Sequence, residues 1–118
     1  MSAETAQPGG PLTEIDRLIH EPARYNIMAL LYVVDRAEFL FVQNQTGLTA
    51  GNLSAHTAKL EAAGYVEVTK RFVGKKPKTL LALSSQGRTA FEQYRKKMAQ
   101  VLSEMPSPPD HSARTDEV

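Results

Sequence analysis

Five cations fall within nine residues of this chain: Lys70, Arg71, Lys75, Lys76 and Lys78, arranged around Gly74 and Pro77. A glycine and a proline this close mark a tight turn, which places the cations at the tip of a hairpin. Ammonium and guanidinium groups on such a projection are suited to ionic contact with phosphates, driven by release of condensed counterions. Upstream, Thr49, Asn52, Ser54, His56 and Lys59 lie among the small residues Gly51, Ala55 and Ala58. Amides and hydroxyls can read base edges, and small neighbours let a backbone approach a groove closely.

Covalent chemistry has no comparable foothold. The chain carries no Cys, so a disulfide, a thiolate zinc site and a cysteine nucleophile are all excluded. His20, His56 and His111 are far apart, and no metal or other cofactor is expected. Asp35 and Glu38 flank a helix start, where carboxylates are favoured without catalysis, and Ser84 and Ser85 have no evident base. The nucleophile-elbow, phosphate-loop and dinucleotide fingerprints are missing, so no enzyme is expected.

The 118 residues suit one domain. Their net charge is only +1, but it is unevenly distributed. Between residues 48 and 80 six cations face only Glu61 and Glu67, whereas residues 1–21 and 104–118 are each acidic. No apolar run reaches the roughly 20 residues of a membrane span, and the N-terminus lacks the pattern of a secretory signal, so a cytoplasmic chain is expected.

The elements that must position these groups can be read in order. Residues 1–11 hold Pro8, Gly9, Gly10 and Pro11 with little apolar content and are expected to be a disordered tail. Leu12, Ile15, Leu18 and Ile19 suggest a first short helix. Pro22 opens a second, with Ile27, Leu30, Leu31 and Val34 as its apolar stripe. Glu38 to Thr46 reads as a third, closed by Gly47. Thr49 then caps a helix over Ala50 to Ala63 that turns Leu53, Thr57 and Leu60 inward and Asn52, Ala55, Lys59 and Ala62 outward. His56 sits at the boundary, placed either to donate to a phosphate or to satisfy itself there.

Gly64 ends that helix. Tyr65 to Val73 alternates as a half-buried strand, with Val66, Val68 and Phe72 inward and Glu67, Thr69 and Arg71 outward. Lys70 has the inward parity, so it either snorkels past the sheet edge or reaches a phosphate. Gly74 to Lys78 is the turn, and Thr79 to Leu83 returns. Ser84 and Ser85 open a last helix of about 20 residues, roughly 30 Å long. Its stripe of Phe91, Tyr94, Met98, Val101, Leu102 and Met105 is more than so small a body covers, so part should meet a second copy. Pro106 stops it, and residues 106–118 are expected to be a disordered Pro-rich tail, leaving 12–105 as the folded unit.

From about Asp16 to Met98 the chain resembles small winged helix-turn-helix transcriptional regulators of the group that includes the MarR and ArsR families. The likeness is carried by Leu48 to Thr79, of the form LT.GNLS.H..KLE.AGYVEV.K.FVG..P.T, and by the SSQGR helix start at Ser84 to Arg88. It implies an α+β, mostly helical fold with a two- to three-stranded antiparallel wing sheet and a long C-terminal dimerisation helix. It also implies a homodimer on a pseudo-palindromic double-stranded DNA operator, acting as a repressor, with a small-molecule effector as a further expectation.

Carried onto this sequence, DNA contact falls to Thr49, Gly51, Asn52, Ser54, Ala55, His56 and Lys59 and to Arg71, Lys75, Lys76 and Lys78. Subunit contact falls to Leu18, Tyr94, Met98, Val101 and Leu102. Two positions depart from the group: Ala55 stands where a long basic residue is frequent, and Thr57 where Leu is usual. Ala55 removes a groove contact and Thr57 puts a hydroxyl on the body-facing stripe, so direct base reading is thin and weight shifts to the wing, with Arg71 or Lys76 near the minor groove. Two alternatives remain, a winged-helix module that docks on an acidic protein and an architectural, sequence-tolerant DNA binder.

Overall fold

The computed structural model describes residues 15–109. Seven elements follow in the order α1 (Pro22–Val34), β1 (Arg36–Glu38), α2 (Phe39–Thr46), α3 (Ala50–Ala62), β2 (Val66–Val73), β3 (Lys76–Leu83) and α4 (Ser85–Glu104). The three strands form one antiparallel sheet in the order β1-β3-β2. This is an α+β winged helix with a three-stranded sheet. The expected tail over residues 1–11 and most of that over 106–118 lie outside the described residues.

The expected first helix does not appear in its described part. Ile15 to His20 forms a turn instead, because the Asp16 carboxylate accepts the amides of Leu18 at 2.9 Å and Ile19 at 3.4 Å and so competes with helical pairing. Residues 12–14 lie outside the described range. The turn is fastened to the body: Tyr65 donates its hydroxyl to Asp16 at 2.6 Å, and His20 Nδ1 shares a 2.7 Å hydrogen bond with the Tyr94 hydroxyl. Ile15 and Ile19 complete the anchorage by entering the core.

Burial together with the bond to Asp16 pushes the Tyr65 hydroxyl up to about 12. The fold therefore holds this proton more tightly than the unfolded chain does. The associated stability is fully present below pH 10 and is lost as pH rises from 10 to about 12. Tyr65→Phe is expected to cost about 1 kcal/mol at neutral pH and to flatten the alkaline loss. Thermal melts of both chains across that pH window check it.

Glu21 caps α1, its carboxylate accepting the Arg24 amide at 2.8 Å, and that bond is the main reason it is held below the usual carboxylate range. Of the stripe read from the sequence, Ile27 and Leu31 are buried and Leu30 is half-buried against the core, while Met28, read as lying off the stripe, is buried as well. Val34 is exposed because α1 ends there, at Asp35 with φ 76°. Aromatic rings seam α1 to α4: Tyr25 lies 5.5 Å from Phe91 and 5.8 Å from Tyr94, and Tyr32 lies 5.3 Å from Phe91.

β1 pairs only with Leu80 to Ala82 of β3. The strands β2 and β3 run on past it, so the far end of the hairpin is a two-stranded ribbon. Its turn is shorter than expected, with Val73 and Lys76 paired and only Gly74 and Lys75 between them. Gly74 has φ 66° whereas Lys75 stays out of the left-handed region, the pattern of a type II′ turn. Backbone pairing thus places Lys76, Pro77 and Lys78 in β3, ahead of the expected start at Thr79.

Candidate nucleic-acid interface

The candidate reading helix is α3, and its local sequence explains its limits. Thr49 is its N-cap, the hydroxyl accepting the Asn52 amide at 3.1 Å, and Gly47 ends α2 in the left-handed conformation at φ 73°. Leu53, Thr57 and Leu60 are buried against the body. Thr57 satisfies its buried hydroxyl within the helix, donating to the carbonyls of Leu53 and Ser54 at 2.9 and 3.1 Å. A hydroxyl on this buried face therefore leaves no orphaned polar group.

Outward, Thr49, Gly51, Asn52, Ser54, Ala55 and Lys59 are all exposed, and His56 is half-buried at the edge. An added Cβ at Gly51 would meet nothing within 4 Å. Gly51→Ala is accordingly expected to stabilise the fold by about 0.5 kcal/mol through helix propensity. The same methyl should weaken duplex binding by crowding the backbone approach. Melting and duplex titration of one preparation separate the two effects.

Arg24 is a residue the sequence gave no reason to single out. From α1 it donates Nε to the Leu18 carbonyl at 2.6 Å and Nη1 to His56 Nδ1 at 3.3 Å. A guanidinium only donates, so Nδ1 accepts and the ring proton sits on Nε2. That N–H remains to donate outward. The two sequence readings of His56 are thus compatible: one ring nitrogen is satisfied by the body and the other is left for a partner.

The ribbon divides its cations between two faces. Arg71, Lys76 and Lys78 share the outer face, and Lys70 shares the inner one with Val68, Phe72, Pro77 and Thr79. Arg71, Lys75 and Lys76 are exposed. Lys78 is half-buried and pairs with Glu38 at 3.3 Å. Arg71 lies directly opposite Lys78. Like charges so placed repel, an effect that a bound anion relieves.

The inner face and α3 flank an open concavity of about 690 Å³, lined by Ser54, Thr57, Ala58 and Glu61 from the helix, Val68, Lys70, Thr79 and Leu81 from the ribbon, and Phe39. Phe72 departs from its expected burial: it is 72% exposed, because the body ends before the strand does. Among the described residues, no cluster of three His, Asp or Glu side chains is placed to hold a metal ion, and no helix is long and apolar enough to cross a membrane.

The subunit-contact residues are placed unevenly. Tyr94 and Val101 are each only 9% exposed, already covered by this chain. Leu18 and Met98 are partly buried, while Leu102 and Met105 are 64% and 60% exposed. Tyr94, Met98 and Leu102 also line a groove of about 600 Å³ with His20 and Tyr25.

Comparison with known proteins agrees with this architecture. The chain is 36% identical over 78 residues to the uncharacterized protein MJ0432 of Methanocaldococcus jannaschii, which spans 66% of this chain and 85% of that one. A transcriptional regulator homologue from Pyrococcus horikoshii OT3 superimposes with a TM-score of 0.74 at 27% identity, covering 79% of this chain and 94% of its own. Wild-type MarR from E. coli shares the fold at a TM-score of 0.64 and 16% identity, over 75% of this chain and 67% of that protein. Residues 23–102 match the winged helix DNA-binding domain family, and the chain belongs to it as a small winged helix-turn-helix regulator.

Proposed function

We propose that this chain is a homodimeric transcriptional repressor that binds a pseudo-palindromic duplex operator, with α3 in the major groove and the ribbon on the adjacent backbone. One observation carries the reading: α3 presents a small, polar, exposed face beside a ribbon whose tip carries the exposed cations Arg71, Lys75 and Lys76, with a concavity between the helix and the ribbon's base. The exposed Asn52, Ser54 and Lys59 and the exposed Arg71, Lys75 and Lys76 lie outside the buried core, and Arg71 stands directly opposite Lys78. Asn52, Ser54, His56 and Lys59 are the helix contacts, and Arg71, Lys75, Lys76 and Lys78 are the phosphate contacts.

Pairing of two chains rests on the far end of α4, where Leu102 and Met105 are exposed and Met98 is only partly buried, with Leu18 as a further contact. A two-fold axis there sets the two reading helices about 34 Å apart, one turn of duplex. The neighbouring groove, with its aromatic and aliphatic lining, suits a small apolar effector.

Selection of bound duplexes from a random pool at fixed salt tests this reading, with sedimentation of the recovered complex giving its stoichiometry. An inverted repeat with half-sites one helical turn apart and two chains per duplex is the expected result. Enrichment without a motif would mark an architectural binder, and no enrichment would exclude DNA as the partner.

A further inference from the structure

Phe72 and Pro77 face each other across the ribbon at the pair next but one to the turn, on its inner face. Phe72 is 72% exposed, and no aromatic ring among the described residues is stacked on it. Cations surround it on every side: Lys70 shares its face, Lys75 sits in the turn, and Arg71, Lys76 and Lys78 occupy the opposite face. An apolar protein surface that covered this ring would have to desolvate those charges as well. A duplex would not, because phosphates on both strands take the cations while sugars and base faces take the ring.

We infer that Phe72 is an apolar wedge that enters the minor groove of duplex DNA and partly unstacks one base step, with Pro77 as its rigid backing. This rests on the DNA-binding reading above. With the inner face of the ribbon's end turned into the groove, the ring meets the bases while Lys70 on the same face and Lys75 in the turn flank it toward the backbones. Apolar side chains inserted this way kink the duplex, most easily at flexible pyrimidine–purine steps such as TA and CA. The wedge thereby gives the wing a preference for deformable sequence, which phosphate contacts alone cannot supply.

The test uses the full chain and duplexes recovered from the selection, with 2-aminopurine replacing adenine at each TA or CA step in turn and an energy-transfer pair on the duplex ends. The wild-type chain is expected to brighten one step per half-site and shorten the end-to-end distance. Phe72→Ala should abolish both signals and lower affinity about tenfold, with the slope of log K against log salt unchanged because no phosphate contact is lost. Phe72→Leu should restore part of the kink. Melting curves should be unchanged, since the ring is exposed.

Unchanged step fluorescence and affinity in Phe72→Ala would overturn the wedge and leave DNA binding standing. A salt slope reduced as much as by loss of a lysine would also overturn it, by showing that the ring only orders the wing. A wild-type chain that binds no duplex removes both readings.

Discussion

Replacing Lys75, Lys76 and Lys78 together by Ala is expected to lower duplex affinity about 60- to 500-fold at roughly 0.1 M salt. Each phosphate contact contributes about 0.9 to the slope of log K against log salt, hence about 0.9 decade at that concentration. Lys75 and Lys76 are exposed and count fully, whereas Lys78 shares its ammonium with Glu38 at 3.3 Å and sets the spread between two and three contacts. On the proposed assignment of these groups to the phosphate backbone, the loss should be nearly independent of duplex sequence. Stability should change by less than about 0.5 kcal/mol, as is usual for surface sites. Titrations at several salt concentrations check the slope, and a slope equal to that of the wild-type chain would remove the ribbon from the interface.

Gly87→Ala should instead damage the fold. A Cβ at Gly87 would lie 2.0 Å from the Tyr65 carbonyl oxygen, 2.7 Å from its carbon and 2.9 Å from its Cα, all backbone atoms that cannot rotate away. That oxygen accepts the Ser84 amide at 3.0 Å, while the Ser84 hydroxyl caps α4 by accepting the Gly87 amide at 2.9 Å and donates to the Gly64 carbonyl. Pushing the helix start aside disturbs all three bonds. Overpacking costs about 1–3 kcal/mol, and the lost cap adds about 1 kcal/mol. At about 4–8 °C for each kcal/mol, a total near 3 kcal/mol lowers the melting temperature by about 12–24 °C. Gly51→Ala is the natural control, since it makes the same chemical change in open space and is expected to act in the opposite direction. A Gly87→Ala chain that melts within a few degrees of wild type would contradict the close approach.

The helix-turn-helix was legible because its punctuation is local. Gly47, Thr49 and Gly64 each act on their own backbone, and Leu53, Thr57 and Leu60 keep one face across the helix. Strand β1 was not legible, since three residues with only Ala37 buried are too few to display a period of two. The early start of β3 at Lys76 escaped for another reason: Lys76, Pro77 and Lys78 carry no strand pattern and are drawn in by pairing with Val73, Phe72 and Arg71. Phe72 has the parity of a core residue, but parity does not say where the core stops. The bond from Arg24 to His56 joins residues 32 positions apart and depends on how α1 crosses α3.

The lone ribbon beyond β1 has a mechanical meaning. Helix α3 is clamped by a buried stripe along its length and behaves as a rigid die, whereas two strands with neither a third strand nor a core beneath them form a soft spring. Pressed onto a surface of variable width, the spring yields and the die does not. If the chain binds duplex as proposed, mismatch at an imperfect site would fall first on the ribbon outside the wedge, and neighbouring sequences would be ranked by degrees of strain instead of being accepted or refused outright.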